Sequence, residues 1–366
     1  MKLRFHWMLP KGGEGAMKTS RAAARARILA TRSKSIGALP DMDGWVPFAR
    51  GAEKAGIESV LISFSRNEPD PLFVACALGR ATPKLKFIVA YRPGLIQPVT
   101  FVQQFNTLST LIEGRVALNI VAGSSTSEQR SYGDFLEHDA RYARSEEFLA
   151  ICHDLWRDHG AVDFHGTYYH VDRGNLHTPF LAPDRTSPEV YISGHSAPAE
   201  RLAMTQGACW LRVVDTPEKL IPLVAPMRQA GTEVCLRSAV ICRPTRQQAV
   251  RAAHALLPHH HVGSQKQSVI AKNDSQMYRE ANSTTDDASW LNRCLWTGLV
   301  PHNGPVWIAL VGTPQELAET FMEYKRIGVT QFILSGWPEL DEATTFGCEV
   351  LPLIREMERR QEMAAV

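Results

Sequence analysis

The chain has 366 residues, 44% hydrophobic and 21% charged, an ordinary globular composition with ample material for a sizeable core. Forty basic residues against 38 acidic ones leave a formal net charge of +2, so no global field argues for nucleic acid or an anionic membrane. Seven cysteines, Cys76, Cys152, Cys209, Cys235, Cys242, Cys294 and Cys348, are odd in number and lack CxxC spacing. They read as buried free thiols rather than a disulfide framework or a zinc site.

The first residues, MKLRFHWMLPKGGEG, lack the apolar core of a signal peptide, and nowhere do about 18 apolar residues run together. The expectation is a cytoplasmic protein outside the membrane. Leu3 to Leu9 reads as a first strand. Residues 11–41, basic and alanine-rich, read as a long loop placed directly after it. A helix then runs from Trp45 to Gly56 with Asp43 as its cap. Strand 59–63, helix 71–81, strand 86–91, helix 100–111 and strand 116–121 follow in alternation.

The second half keeps the rhythm less regularly. Residues 145–157 read as a helix and 162–171 as an inserted hairpin turning at His165-Gly166. Strands are expected at 189–192, 208–211, 234–242 and 331–335, with helices at 198–207, 216–230, 245–257 and 313–327, and a short apolar run at 307–311. Residues 258–305 lose periodicity, as a lid or inserted module does.

Each strand is a near-continuous apolar run, the signature of a parallel sheet covered by helices. Eight such strands predict an α/β fold, a (β/α)8 TIM barrel, in one domain over residues 1–366 with insertions at 11–41, 160–186 and 258–305. A doubly wound sheet is the alternative. Against it, no G-x-G-x-x-G follows the first strand and no P-loop occurs.

Val116 to Arg144 carries the first functional signal. An apolar strand containing Asn119 breaks at Ala122-Gly123-Ser124 and leads to His138, Arg141 and Tyr142. Small residues just beyond a strand let a ligand approach the backbone. The second signal is Ser193-Gly194-His195-Ser196, where strand five enters a helix. Amides and hydroxyls converge there, either as an anion seat or as a simple cap by Ser196. Other motifs dissolve. Adjacent His259, His260 and His261 cannot all face one metal ion, and the Gly194-His195-Ser196 run does not complete a nucleophile elbow because residue 198 is Pro.

The segments RFHWMLP, VLISFSR, KFIVAYRPG, GRVALNIVAGS, EHDARYARSEEF, SGHS, LVGTPQELAE and FILSGWPELDEA resemble, over nearly the whole chain, the bacterial luciferase-like superfamily. The resemblance is greatest to the FMNH2-dependent alkanesulfonate and dimethyl-sulfone monooxygenases. It implies a (β/α)8 barrel, FMN used as FMNH2 with O2, an NAD(P)H-dependent flavin reductase as partner, and a homodimer or homotetramer. It also implies that His138, Tyr142, Ser193, Gly194, His195 and Ser196 lie at the flavin phosphate, and that Asn119, Ala122 and Gly123 lie beside the ring.

The departures concern the substrate. Where those monooxygenases have histidine after strand one, this chain has Gly12, and where they have cysteine after strand two it has Glu68. The arginine of their Arg-Leu-His is kept as Arg237, while Ala239 replaces the histidine. Asn303 stands for a lid arginine, and Trp337 for the tyrosine of Ser-Gly-Tyr-Pro. Glu68, Arg237 and Trp337 are therefore the residues expected near the chemistry. The substrate is expected to be a small organic molecule other than a simple alkanesulfonate, such as an amine or amino-acid-derived metabolite. Glu68 either meets it or pairs with Arg66 or Arg237; Arg66 and Arg237 are candidate anchors for a carboxylate. Alternative readings are a sulfonate or sulfone monooxygenase, a deazaflavin-dependent hydride-transfer oxidoreductase, and a non-catalytic flavin-binding homologue.

Overall fold

The computed structural model describes residues 1–11, 40–123, 125–157, 160–206, 209–257, 276 and 290–364. Most of the loop expected at 11–41, with Gly12, and of the lid expected at 258–305, with the His259–His261 tract, lies outside the described residues. Among those described, the strands are β1 (Arg4–Met8), β2 (Ser59–Ile62), β3 (Lys86–Tyr91), β4 (Val116–Val121), β5 (Val162–His165), β6 (His170–Gly174), β7 (Val190–Ser193), β8 (Cys209–Val213), β9 (Val234–Cys242), β10 (Leu295–Trp296), β11 (Ala309–Gly312) and β12 (Gln331–Ser335). The helices are α1 (Met42–Lys54), α2 (Pro71–Ala81), α3 (Pro98–Leu111), α4 (Thr126–Ser131), α5 (His138–Arg157), α6 (Ala197–Thr205), α7 (Pro217–Gln229), α8 (Arg246–Ala255), α9 (Val300–Asn303), α10 (Pro314–Ile327), α11 (Glu339–Thr345) and α12 (Leu351–Ala364).

Eight parallel strands close on themselves in the order β1, β2, β3, β4, β7, β8, β9, β12 and back to β1. This is the (β/α)8 barrel, and the doubly wound sheet is excluded. The apolar runs follow from burial on both strand faces: β2, β8 and β12 are buried at every position. One apolar layer fills the barrel with Leu61, Ile88, Ala117, Tyr191, Leu211 and Ile333. A larger one packs the strands against the helices. Strand β9 is longer than its neighbours. Its first half pairs with β8 and β12, and Ala239 to Cys242 continue alongside β11.

Several boundaries differ from expectation for identifiable reasons. The cap of α1 is Asp41, whose carboxylate accepts from Gly44 N at 3.2 Å, not Asp43. Helix α3 starts at Pro98, since proline is well placed in a first turn. Helix α5 starts at His138 rather than Ser145. Its polar opening hides the period because Arg141 and Ser145 are themselves buried. Helix α4 was not expected at all; Ser125 caps it by accepting from Glu128 N.

The hairpin is present as β5 and β6, with its second strand running to Gly174. Its turn is tied to α5 by Glu147, whose carboxylate accepts from the backbone N–H groups of Thr167 and Tyr168 at 2.8 Å and of Tyr169 at 3.1 Å. Among the described residues no helix is long and apolar enough to cross a membrane.

Candidate active site

A cavity of about 370 Å³ opens at the C-terminal ends of the barrel strands. Apolar side chains, among them Leu61, Val121, Leu211 and Val306, make much of its wall. Among the described residues, three arginines, Arg92, Arg212 and Arg237, line it with a single carboxylate, Glu128. Of the expected site residues, the structure brings Asn119, Ala122, Gly123, Tyr142, Ser193, Gly194, His195 and Arg237 together on this wall.

The Ser193–His195 loop is held from three elements. Tyr142 Oη, on α5, donates to Ser193 O at 3.2 Å. Trp210 Nε1, on β8, donates to Gly194 O at 2.8 Å. Ser193 Oγ donates to Asn119 Oδ1 at 2.7 Å, joining the two strand ends. Gly194 has φ 152°, and a Cβ there would run into Tyr142 Oη and lie 2.7 Å from the Cβ of Ala199. Only glycine admits this close approach.

His195 Nε2 accepts the backbone N–H of Val213 at 3.0 Å, so the neutral ring carries its proton on Nδ1. That Nδ1 lies 3.5 Å from Nη2 of Arg212. Two donors so close together suit one anionic acceptor. Arg212 is further supported by the Trp210 ring, 5.0 Å from its guanidinium carbon. Ser196 opens α6 without making a side-chain capping bond, and its buried Oγ has no partner among the described residues. The simple-cap reading is therefore not what the structure shows.

On the neighbouring side of the cavity, Arg237 donates to Ser335 Oγ at 3.0 Å and to the carbonyls of Ile333 and Ser238 at 3.3 and 2.5 Å. All these partners are neutral. Burial pulls its guanidinium down to about 10, and among the described residues no carboxylate offsets that. Arg92 has its charge partner, Glu128, 3.6 Å away.

Glu68, His138, Trp337 and Ala239 do not line this cavity. Glu68 lines a separate small cavity with Trp45 and Val74, and its carboxylate accepts from Ser63 Oγ rather than pairing with Arg66 or Arg237. Asp70, its neighbour, is the N-cap of α2 and accepts from Leu72 N at 2.9 Å. His138 is half-buried beside Tyr142, ring centroids 5.1 Å apart, and hydrogen-bonds to Asp139. Trp337 stacks on Trp307 with centroids 4.2 Å apart and planes at 1°. Ala239 is buried in an apolar cluster with Trp296 and Leu299, and its methyl side chain offers no polar group. Arg92 and Arg212 were missed in the sequence. Their signal was a charged residue within or directly after an otherwise apolar parallel strand, KFIVAY-Arg and CWL-Arg-V.

The closed barrel, with a small-residue loop and a cavity at the C-terminal ends of its strands, has the layout of a (β/α)8 enzyme, whose sites lie on that face. A family model described as luciferase-like monooxygenase matches residues 3–331. The chain belongs to this family and is an enzyme of its flavin-dependent monooxygenase class. Among solved structures, EDTA monooxygenase from Chelativorans sp. BNC1 is 20% identical, with a TM-score of 0.75 over 98% of this chain and 94% of its own. The type II Baeyer–Villiger oxygenating constituent of 3,6-diketocamphane monooxygenase from Pseudomonas putida, solved with FMN, is 17% identical, with 0.65 over 96% and 98%. An F420-dependent secondary alcohol dehydrogenase is 20% identical, with 0.63 over 97% and 99%. At these identities the likeness is one of fold.

Proposed function

We propose that this chain is the oxygenase of a two-component system. It takes FMN in reduced form from an NAD(P)H-dependent flavin reductase and inserts one atom of O2 into a small organic substrate. The observation that carries the reading is the pair of donors at Arg212 and His195 beside the backbone-pinned Ser193–Gly194 turn. The residues fit FMN: donors for an anion at one wall, the small residues Ala122 and Gly123 on the wall beside it, and arginines for the acceptors of the ring.

Bound reduced FMN supplies the electrons that activate O2. The protein's part is to hold the phosphate at Ser193, Gly194, His195 and Arg212, to set the ring against Asn119 to Gly123, and to keep water off with the apolar wall. Arg237 anchors an acidic group of the substrate, because its buried charge is offset by no carboxylate among the described residues. An amino-acid-derived substrate fits this anchor. A bare amine loses its support, since Glu68 faces a different cavity.

The test is to combine the purified protein with a flavin reductase, NADH, FMN and 18O2, and to screen amino-acid-derived acids, amines and alkanesulfonates. Incorporation of one labelled oxygen into an acid is expected. Tight deazaflavin binding without O2 uptake would replace the reading with hydride transfer. Flavin binding with no product from any class would leave a non-catalytic homologue.

A further inference from the structure

Among the described residues lining the cavity, Arg92 is the group whose protein partners fall furthest short. Its side chain is 4% exposed. Nε and Nη1 are buried with no partner among the described residues. Glu128, at 3.6 Å, is beyond hydrogen-bond distance. The rings of Phe64 and Tyr132 flank the guanidinium at 5.0 and 5.6 Å and hold its plane. Buried donors without acceptors are costly, and a folded protein keeps them where a ligand supplies the acceptors.

The position of Arg92 narrows the ligand. It follows the last residue of β3, whereas the anion seat lies beyond β7, with β4 between the two strands. A phosphate at Ser193–His195 is therefore not its partner. The end of β4, Val121 to Gly123, lines the cavity between them. A ligand that is phosphorylated at the seat and flat beside β4 brings its ring to Arg92. The pyrimidine edge of an isoalloxazine presents two coplanar acceptors, N1 and the C2 carbonyl, which match a guanidinium fork. On reduction that edge also gains negative charge near neutral pH.

Building on the reduced-flavin reading above, we propose that Arg92 selects reduced over oxidised flavin, donating to the N1 and C2-carbonyl edge and stabilising its negative charge. Glu128 moderates this selectivity by offsetting part of the arginine's charge. The device suits a protein that receives its flavin already reduced and returns it oxidised.

Anaerobic titrations with oxidised and with chemically reduced FMN give two dissociation constants, whose ratio is the readout. Wild type is expected to favour the reduced form. R92Q lowers the ratio by about ten- to a hundredfold through weaker reduced-flavin binding, and R92K falls between. The bound-flavin potential drops in parallel by about 30 mV per tenfold. E128Q, which keeps the side chain's shape, shifts the ratio in the opposite direction. An unchanged ratio in a folded R92Q, or an E128Q ratio that is unchanged or lower, overturns the proposal. So does an R92Q protein in which only the substrate KM rises, since Arg92 would then be holding an acidic substrate. Wild type that binds neither form of FMN would instead remove the reduced-flavin reading, a result visible before any variant is made.

Discussion

The two ends of the barrel handle buried charge in opposite ways. At the N-terminal end, Arg4 meets Glu58 at 2.8 Å, Glu189 at 2.9 Å and Glu233 at 3.7 Å, and Lys86 joins Glu58 at 3.4 Å. Burial by itself would lower the Arg4 pKa, but the carboxylates more than reverse it. His6, fully buried, is satisfied on both nitrogens, by Ser59 Oγ at 2.6 Å and Gln331 Oε1 at 2.9 Å. At the C-terminal end, among the described residues, three arginines line the cavity with one glutamate, whose carboxylate lies 3.6 Å from Arg92, and donors at Arg92 and Ser196 have no hydrogen-bond partner. The closed account below is a device for stability, and the open one above is what the proposed flavin site requires.

The comparison breaks most sharply at Arg237. R237M is expected to lower kcat/KM for an acidic substrate by about two to three orders of magnitude, with the melting temperature unchanged or raised because an unoffset buried charge is gone. A fall in stability with kcat/KM intact would place Arg237 with the structural arginines. Steady-state kinetics and a thermal melt decide between them.

Acid should act first on the opposite end. Burial lowers the folded His6 pKa to about 4 from 6.5, so the unfolded chain takes up the proton first. The stability this histidine contributes is complete above pH 6.5 and is lost as the pH falls toward 4, by about 3 kcal/mol. Urea denaturation of wild type and H6Q at pH 7 and 4.5 checks this; the loss should be smaller in H6Q. Glu58, held down from 4.5 to about 2 by Arg4 against burial, loses its own contribution as the pH falls from 4.5 toward 2, so that loss only begins at the lower measurement and cancels in the comparison with H6Q.

The smallest effect sharpens the contrast. R4M leaves Glu58, Glu189 and Glu233 facing one another and should cost about 2 kcal/mol of stability. FMN affinity in the folded protein should stay at the wild-type value. A change in flavin affinity would mean that the lower charge cluster reaches the site.

The barrel was legible because burial on both faces turns each parallel strand into an apolar run, and all eight runs lie where strands are found. Short polar elements were not. Helix α4 and the first turns of α5 hide their period, since the inward positions carry Gln129, Arg141 and Ser145 rather than aliphatic residues. In the site, Ser193 to His195 could be read from a strand end followed by glycine. Arg92 and Arg212 could not, because a charge in an apolar strand gains meaning only once the neighbouring carboxylates are counted. Glu68 drew attention for the converse reason: its position along the chain does not say that its loop leans toward Trp45 and Val74 and away from Arg237.

The hairpin of β5 and β6 offers a last consequence, one of modularity. Three successive amides at its turn rest on the single carboxylate of Glu147, on the same helix whose first turns bring Tyr142 to Ser193. The amides place no demand on side-chain identity, but Tyr169 is buried at the same turn, its ring 6.0 Å from that of Phe148. A hairpin of other sequence is expected to be accepted where the receiving helix keeps a glutamate at this position and the hairpin keeps an apolar side chain in place of Tyr169.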